Sequence, residues 1–233
     1  MFTTIFYQPI LNLLVWFYNI LPGHDIGLAI IVLSVVIKLV LYPLSNKSIK
    51  SQKALQNLQP KIQELKEKYK DDKEAMTKGM MELYKQEKVN PLSSCLPLLI
   101  QLPFFWAVFR VFRNELTNGS LSLIYPFIYN PGSLSPMAFG LINLAEPNWV
   151  LAVLAGLSQF LQVKLMPKPK MPVGGKEETM GAIMNKQMTY VMPALTVFIT
   201  LSLPSGLALY WFITTVLTIL QQLIVFKKEK VSS

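Results

Sequence analysis

Lys38 is the residue of this chain whose type and position could carry chemistry. It lies inside the uncharged apolar run 26–44 (IGLAIIVLSVVIKLVLYPL), which is long enough to cross a bilayer. A charge inside a membrane helix costs about 2.5–3.5 kcal/mol on insertion scales, so it usually faces protein or water and marks a functional site. The alternative is that the long aliphatic stem carries the ammonium group to the nearby membrane surface.

Polar residues at helical spacing occur in each of five apolar segments. Ser34, Lys38 and Tyr42 stand four residues apart, which predicts one common helix face. Such residues can join helices by hydrogen bonds. If all of them face one interior, they instead line a wet cavity around Lys38. The candidates in the other four segments are Ser94, Gln101, Ser158, Gln162, Thr196, Thr200, Thr214, Thr218 and Gln222.

The composition indicates a membrane protein. Of the 233 residues, 52% are hydrophobic and only 15% are charged, which is too apolar for an ordinary soluble domain. The apolar segments approach the ~20 residues that span hydrocarbon. We therefore predict a single all-α polytopic domain with five transmembrane helices around a hydrophilic groove. The predicted spans are 26–44, 91–112, 149–166, 188–203 and 207–226.

The N-terminal segment 1–24 has no lysine or arginine, so it lacks the positive region of a typical signal peptide. It is rich in aromatic residues with scattered amides, a composition that suits the membrane–water boundary. We predict a retained interfacial helix; an additional span is the alternative.

Basic residues predict the orientation. Segment 45–90 holds eleven lysines, segment 164–187 five and the tail 227–233 three, whereas 1–24 and 114–148 hold none. The positive-inside rule makes the lysine-rich side cytoplasmic. The expected topology in the cell inner membrane therefore has the N-terminus outside and the C-terminus inside, which agrees with an odd number of spans.

The depth of Lys38 favours a groove over a channel. Lys38 lies twelve residues beyond Ile26, or ~18 Å along a helix. In a ~30 Å hydrocarbon core, that is the cytoplasmic half of the membrane. A cavity around Lys38 can then open inward without crossing the outer leaflet.

Segment 45–90 is predicted to form a cytoplasmic hairpin of two helices. Its apolar residues recur at spacings of three and four, first over 55–69 and then over 76–83. With eleven lysines and seven acidic residues, its net charge is +4. The hairpin is either a solvated element beside anionic lipid or a docking arm for ribosomal RNA or a nascent chain. Segment 167–186 is expected to be a cytoplasmic loop, and 116–148 to lie on or in the outer interface.

Enzyme chemistry is not expected. The only histidine, His24, precedes the first span, and no predicted span contains a carboxylate. The single cysteine, Cys95, can form neither an internal disulfide nor a zinc site. We predict no metal, no cofactor and no catalytic residue.

Three stretches are distinctive in sequence and order. They are 59–69 (QPKIQELKEKY), 89–105 (VNPLSSCLPLLIQLPFF) and 192–211 (MPALTVFITLSLPSGLALYW), the last followed by Gln221-Gln222. Over nearly its whole length the chain resembles the YidC/Oxa/Alb family of membrane protein insertases, in the bacterial five-span form without the large periplasmic domain. The resemblance implies a membrane protein insertase and chaperone that acts alone or beside the Sec translocon.

The resemblance also implies a groove open to the cytoplasm and to lipid but closed outside, with a basic residue of the first span inside it. Lys38 matches that position, where arginine is the common residue; lysine keeps the charge but lacks the planar guanidinium fork. Ser93-Ser94 stands where glycine is common. The implied partners are nascent membrane proteins, the lipid bilayer, the Sec translocon, the ribosome and the signal recognition particle pathway, without specific DNA binding.

Two other functions are compatible with these residues. A small transporter or channel would use Lys38 in a polar cavity, although the sequence has no internal repeat. A scaffold would bind proteins through its hairpin and use the spans only as an anchor. The transporter or channel predicts solute flux. The scaffold predicts that leucine is tolerated at the polar positions.

Overall fold

The computed structural model describes residues 1–70, 72–90, 96–118, 121–165 and 187–231. Over these residues the protein is predominantly helical. A π-helical turn, Thr3–Tyr7, leads into α1, and a second one, Gln187–Val191, leads into α8. The helices are α1 (Gln8–Ile20), α2 (Ile26–Val40), α3 (Tyr42–Asn57), α4 (Gln59–Lys68), α5 (Lys73–Gln86), α6 (Leu96–Asn118), α7 (Trp149–Leu165), α8 (Met192–Thr200) and α9 (Ser205–Val231).

The core is formed by one face each of α1, α2, α6 and α9. Helix α9 packs against both α2 and α7, and α1 packs against α2. Helix α1 is deeply embedded in the protein, because several of its apolar side chains have no exposed surface. The core includes Leu11, Leu14 and Val15 of α1, Ile26, Ile30 and Leu33 of α2, Val108 and Phe112 of α6, and Leu207 and Tyr210 of α9.

The first predicted span does not continue as one straight helix to residue 44. Helix α2 ends at Val40, and the axis turns by 67° before the chain continues from Tyr42. Pro43 explains the break, since proline has no amide hydrogen and its ring clashes with the carbonyl four residues earlier. Tyr42 therefore belongs to α3 and does not share a helix face with Ser34 and Lys38 as the spacing predicted.

Segment 121–148 packs against α1 and against the N-terminal ends of α2 and α9. Leu121, Leu134, Ala138 and Leu144 are buried in the core, whereas Phe127, Tyr129 and Leu141 are largely exposed. It contains an antiparallel ribbon of β1 (Met137–Ala138) and β2 (Ile142–Asn143).

Hydrogen bonds fix this segment to the adjoining helix ends. Asp25 caps α2 by accepting from the Leu28 amide at 2.9 Å, and its other oxygen accepts from the Phe139 amide. The Ser205 amide at the start of α9 donates to the Glu146 carbonyl at 3.0 Å. The ends of α2 and α9 on this side are thereby covered.

The predicted cytoplasmic hairpin contains three helices. Its first apolar stripe is interrupted at Leu58, where α3 gives way to α4, because Pro60 is accepted only in the first turn of a new helix. Helices α4 and α5 pack together, with an ion pair between Lys61 and Glu87. The predicted turn between them includes residue 71, which lies outside the described residues.

The lengths of the helices can be compared with the predicted membrane spans. Among the described residues, one helix, Ser205–Lys227, is long and apolar enough to cross a membrane, and the bent pair α2–α3 would be a second if it forms one span. Helix α7 is apolar but shorter. Large apolar side chains are nevertheless exposed on these and neighbouring helices, as expected of surfaces that face lipid. Examples are Leu39, Trp106, Trp149, Leu157, Phe198 and Leu223.

Candidate functional site

Lys38 points toward helix α9. Its Nζ donates a hydrogen bond to Thr218 Oγ1 at 2.8 Å, and the side chain is half-buried. The Thr218 hydroxyl uses its own hydrogen on the Thr214 carbonyl at 2.7 Å, so its lone pairs are available to the ammonium group. This geometry directs the charge between two helices.

The partner of Lys38 is one step of a polar row along α9. Tyr210, Thr214, Thr218 and Gln222 recur every four residues and therefore follow one face of the helix. We call these four residues the α9 polar row. At 1.5 Å per residue the row extends over ~18 Å. It begins where Gln101 Nε2 of α6 donates to the Tyr210 hydroxyl at 2.7 Å.

The row ends beside the bend between α2 and α3. Gln222 has only 2% of its surface exposed, and its Oε1 has no hydrogen-bond partner within the described part of the chain. The adjacent Gln221 is paired: its Oε1 accepts from Ser45 Oγ at 3.0 Å and its Nε2 donates to the Tyr42 carbonyl at 3.3 Å. Gln221 thus joins α9 to the bend, while Oε1 of Gln222 is a buried acceptor without a donor among the described residues.

Four further candidates lie on α7 and α8, and two of them, Thr196 and Thr200, are on α8. Thr196 Oγ1 donates to Gln159 Oε1 and so joins the two helices. Thr200 donates to the Thr196 carbonyl at 2.7 Å, and Ser158 to the Ala155 carbonyl at 2.8 Å. Gln162, one turn after Ser158, is half-buried.

The sequence prediction of a single polar interior is therefore matched only in part. Lys38, Gln101, Thr214 and Thr218 are connected through α9. Ser34 is completely buried and donates to its own helix at the Ile30 carbonyl, 2.7 Å away. Ser94 lies outside the described residues, as do Cys95 and the predicted loop 167–186.

The charge on Lys38 has no ionic partner in the regions that the structure describes, where the ion pairs recorded lie in the hairpin. Its contact with Thr218 is a hydrogen bond to a neutral hydroxyl. Helix α9 contributes hydroxyls and amides to the row but no carboxylate. The surroundings of Lys38 thus favour the approach of a negatively charged or polar group.

Metal chemistry has no visible basis in this region. Within the ranges described above, no group of three or more histidine, cysteine or acidic side chains is positioned to hold an ion. The arrangement provides hydrogen bonding and one positive charge.

Residues 16–232 match the family model described as the 60Kd inner membrane protein. The chain belongs to the 60Kd inner membrane protein family. The resemblance drawn from the motifs is thereby confirmed, and the matched region includes Lys38 and the whole α9 polar row.

Curated members of this family are similar over most of the chain. One is the membrane protein insertase YidC of Geobacter metallireducens, 37% identical over 219 residues, which cover 92% of this chain and 35% of that protein. Another is the membrane protein insertase YidC of Francisella tularensis subsp. novicida, 43% identical over 199 residues, which cover 85% and 32%. The chain spans about a third of the length of these relatives.

Three polar residues that form these contacts were not among the candidates chosen from the sequence. Tyr210 continues the four-residue spacing of Thr214 and Thr218, which was a usable signal. Gln159 and Gln221 each stand beside a chosen position. Because a helix rotates by about 100° per residue, only packing decides which of two adjacent amides meets the neighbouring helix.

Proposed function

We propose that the protein is a membrane protein insertase and chaperone. In this proposal a newly made membrane protein enters a hydrophilic groove along the α9 polar row, and its apolar segment leaves the groove into lipid. The observation that carries the proposal is the position of Lys38, whose ammonium group is bonded to Thr218 between α2 and α9 and has no ionic partner among the described residues. Family membership supports the same function.

The physical role of the groove is to lower the cost of moving polar groups through the membrane. Each unsatisfied polar backbone group costs several kcal/mol in hydrocarbon. Hydroxyls and amides along α9 offer replacement hydrogen bonds over ~18 Å, or about three fifths of a ~30 Å core. The polar part of a substrate therefore crosses only the remaining part of the membrane without such partners.

Lys38 selects and draws in the substrate. An acidic or polar tail is attracted to the ammonium group, which can exchange its bond to Thr218 for one to a carboxylate. A negative tail moving outward also gains about 2.3 kcal/mol per charge for each 100 mV of membrane potential. No covalent step is needed, so the proposed activity is not enzymatic.

The proposed topology has five spans, with the N-terminus outside and the cytoplasmic side at the lysine-rich segments. The bend after α2 lies near Ser45 and Lys47, so the charged helices α3–α5 begin where the groove would open inward. Segment 121–148, which covers the opposite ends of α2 and α9, would close the groove outside. In this arrangement the groove opens to the cytoplasm and to lipid but does not form a pore.

The charged segments are the proposed contact sites for partners. Helices α4 and α5 and the basic tail 227–233 would receive nascent chains from the ribosome, directly or through the signal recognition particle pathway. Exposed apolar faces of the spans, such as that carrying Phe198 with 71% of its surface exposed, offer contact to lipid or to the Sec translocon.

The test is reconstituted insertion of a small membrane protein with an acidic tail into liposomes. Lys38→Ala should slow insertion, while Lys38→Arg should retain it because the charge remains. Lys47→Ala, which removes an exposed charge from α3, is the matched control and should have no effect. Equal insertion by wild type, Lys38→Ala and Lys38→Glu would show that the charge is not used.

Crosslinking tests the path itself. A photoreactive residue at Gln101 or Thr214 should capture a stalled nascent membrane protein, whereas one at Thr196, between α7 and α8, should not. Capture at all three positions with equal yield would argue against a path along α9. Solute flux through liposomes that contain the protein would instead support a channel.

A further inference from the structure

A polar cleft lies at the end of the molecule remote from the hairpin. It has a volume of about 270 Å³ and forms where the π-helical turn before α1, the end of α6 and segment 121–148 meet. In the proposed topology this is the outer membrane–water boundary. The residues that line the cleft include Thr3, Tyr7, Arg110, Asn114, Glu115 and Ser122.

The carboxylate of Glu115 is held at the inner wall of this cleft. Only 4% of the residue is exposed. Its Oε1 accepts from the Tyr7 hydroxyl at 2.6 Å, and its Oε2 accepts from the Leu121 amide at 2.9 Å. Burial, together with the bond to Glu115, raises the pKa of Tyr7 to about 12, so the phenol remains a donor.

Glu115 retains capacity to bind a cation. Each carboxylate oxygen has two lone pairs, and one on each atom is still available. Across the described ranges, no lysine or arginine forms an ion pair with this residue. A buried carboxylate without a cationic partner is uncommon, because desolvation of the charge is compensated only by good hydrogen bonds or by an opposite charge.

A guanidinium group stands at the rim of the same cleft. Arg110 is exposed and lies over the Tyr7 ring, 5.6 Å from its centroid. The contact holds the guanidinium beside the cleft, and no ion pair to Arg110 is recorded among the described residues, so its N–H groups can bind an anion in a bidentate manner. The exposed hydroxyls of Thr3 and Ser122 add donors for the same anion.

We propose that the cleft binds the phosphoethanolamine headgroup of phosphatidylethanolamine. The primary ammonium group would lie against Glu115, and the phosphate would be bound by Arg110 at the rim. At about 30 Å³ per liquid water, the cleft has room for about nine water-sized groups, which suits a small headgroup but not a peptide helix. The proposal assumes the membrane position given above, and its chemistry is separate from insertion along α9.

The groups that line the cleft predict which phospholipid binds most tightly. Phosphatidylethanolamine supplies both an N–H donor for Glu115 and a phosphate for Arg110. Phosphatidylcholine has a quaternary ammonium group that cannot donate a hydrogen bond, and phosphatidylglycerol has no cation. Binding should therefore be about tenfold or more tighter for phosphatidylethanolamine, since one charge-assisted hydrogen bond distinguishes it from the others.

The experiment measures binding of the three phospholipids, with identical acyl chains, to the purified full chain by native mass spectrometry in detergent. Arg110→Gln should reduce binding of phosphatidylethanolamine about tenfold or more. Arg113→Gln is the matched control, because Arg113 is exposed one turn away and lies over Phe109 instead of Tyr7. Glu115→Gln should abolish the preference for phosphatidylethanolamine while phosphate binding at Arg110 remains.

Two outcomes would overturn the proposal. One is equal affinity for all three lipids. The other is unchanged phosphatidylethanolamine binding by Arg110→Gln, an exposed position where substitution does not threaten folding. Free phosphoethanolamine is included as a competitor: displacement of the lipid only at large excess supports the lipid, and equal affinity assigns the site to the soluble compound. Lys38→Ala should bind lipid normally, so failure of insertion and failure of this site are distinguishable.

Discussion

Replacing Gly156 by alanine should force helices α7 and α8 apart. A Cβ added at Gly156 would overlap Val197 Cγ2 of α8 and lie 3.1 Å from the Pro193 carbonyl oxygen. Non-bonded heavy atoms prefer separations of about 3.5–4.0 Å. The methyl group of Val197 cannot easily turn away, because a β-branched side chain in a helix has one strongly preferred rotamer. The helices must therefore separate.

The expected loss of stability follows from two opposing effects. Overpacking of a tight contact typically costs about 1–3 kcal/mol. Alanine is a better helix former than glycine by up to about 1 kcal/mol, which offsets part of that cost. Because the added Cβ meets a rotamer-restricted side chain and a backbone carbonyl, the overpacking cost should lie in the upper half of its range. The net decrease in the free energy of unfolding should then be about 1–2 kcal/mol, or a fall in Tm of a few degrees for a chain of this size.

Thermal unfolding of the purified protein in detergent, followed by tryptophan fluorescence, measures this loss. Gly79→Ala is the control, since its added Cβ would lie 3.4 Å from Leu65 Cδ2, in ordinary contact, and should leave Tm unchanged or raise it. Val197→Ala should restore stability when combined with Gly156→Ala, because it removes the overlapping methyl groups. A Gly156→Ala variant as stable as wild type, or a double variant less stable than either single one, would refute the reasoning.

Three further predictions concern the free energy of unfolding. Thr218→Val should lower the free energy of unfolding by about 1–3 kcal/mol, because the half-buried ammonium group of Lys38 loses its acceptor. Thr218→Ser keeps the hydroxyl and should not lower it. Equal effects of the two substitutions would contradict the hydrogen bond. Asp25→Ala should lower the free energy of unfolding by about 1 kcal/mol or more, since Asp25 caps α2 and binds the Phe139 amide. Asp25→Asn should lower it less. An unchanged free energy of unfolding in both variants would show that this cap is unimportant. The raised pKa of Tyr7 stabilises the fold below the unfolded value of about 10, and that contribution is lost as the pH rises from about 10 to about 12. Urea unfolding over this range should show a smaller decline for Tyr7→Phe than for wild type, and parallel declines would exclude this role.

The family and the general class of this protein could be predicted from local patterns. The apolar segments, the position of Lys38 and the three motifs depend only on residue type and spacing. Helix α7 begins at Trp149, which is also the first residue of the predicted segment 149–166. The predicted helical character and family are confirmed, whereas the number of spans and their orientation remain predictions.

Tertiary packing decided the arrangement of the polar residues. Spacing of four predicts a shared face only while the helix continues, and the bend before Tyr42 separates that residue from Ser34 and Lys38. Spacing also gives no information on which neighbouring helix a face meets. Thr196, for example, was a candidate for the groove around Lys38, with helix joining as the alternative, and it bonds to Gln159 of α7.

The sequence alone determined where apolar chain and charge occur, because these follow from side-chain chemistry. Only the tertiary structure decided that Lys38 meets Thr218, that four apolar side chains of segment 121–148 enter the core, and that Glu115 and Arg110 share a cleft. Each of these contacts joins residues far apart in the chain. Their geometry depends on how helix faces rotate and pack against one another, which no single segment specifies.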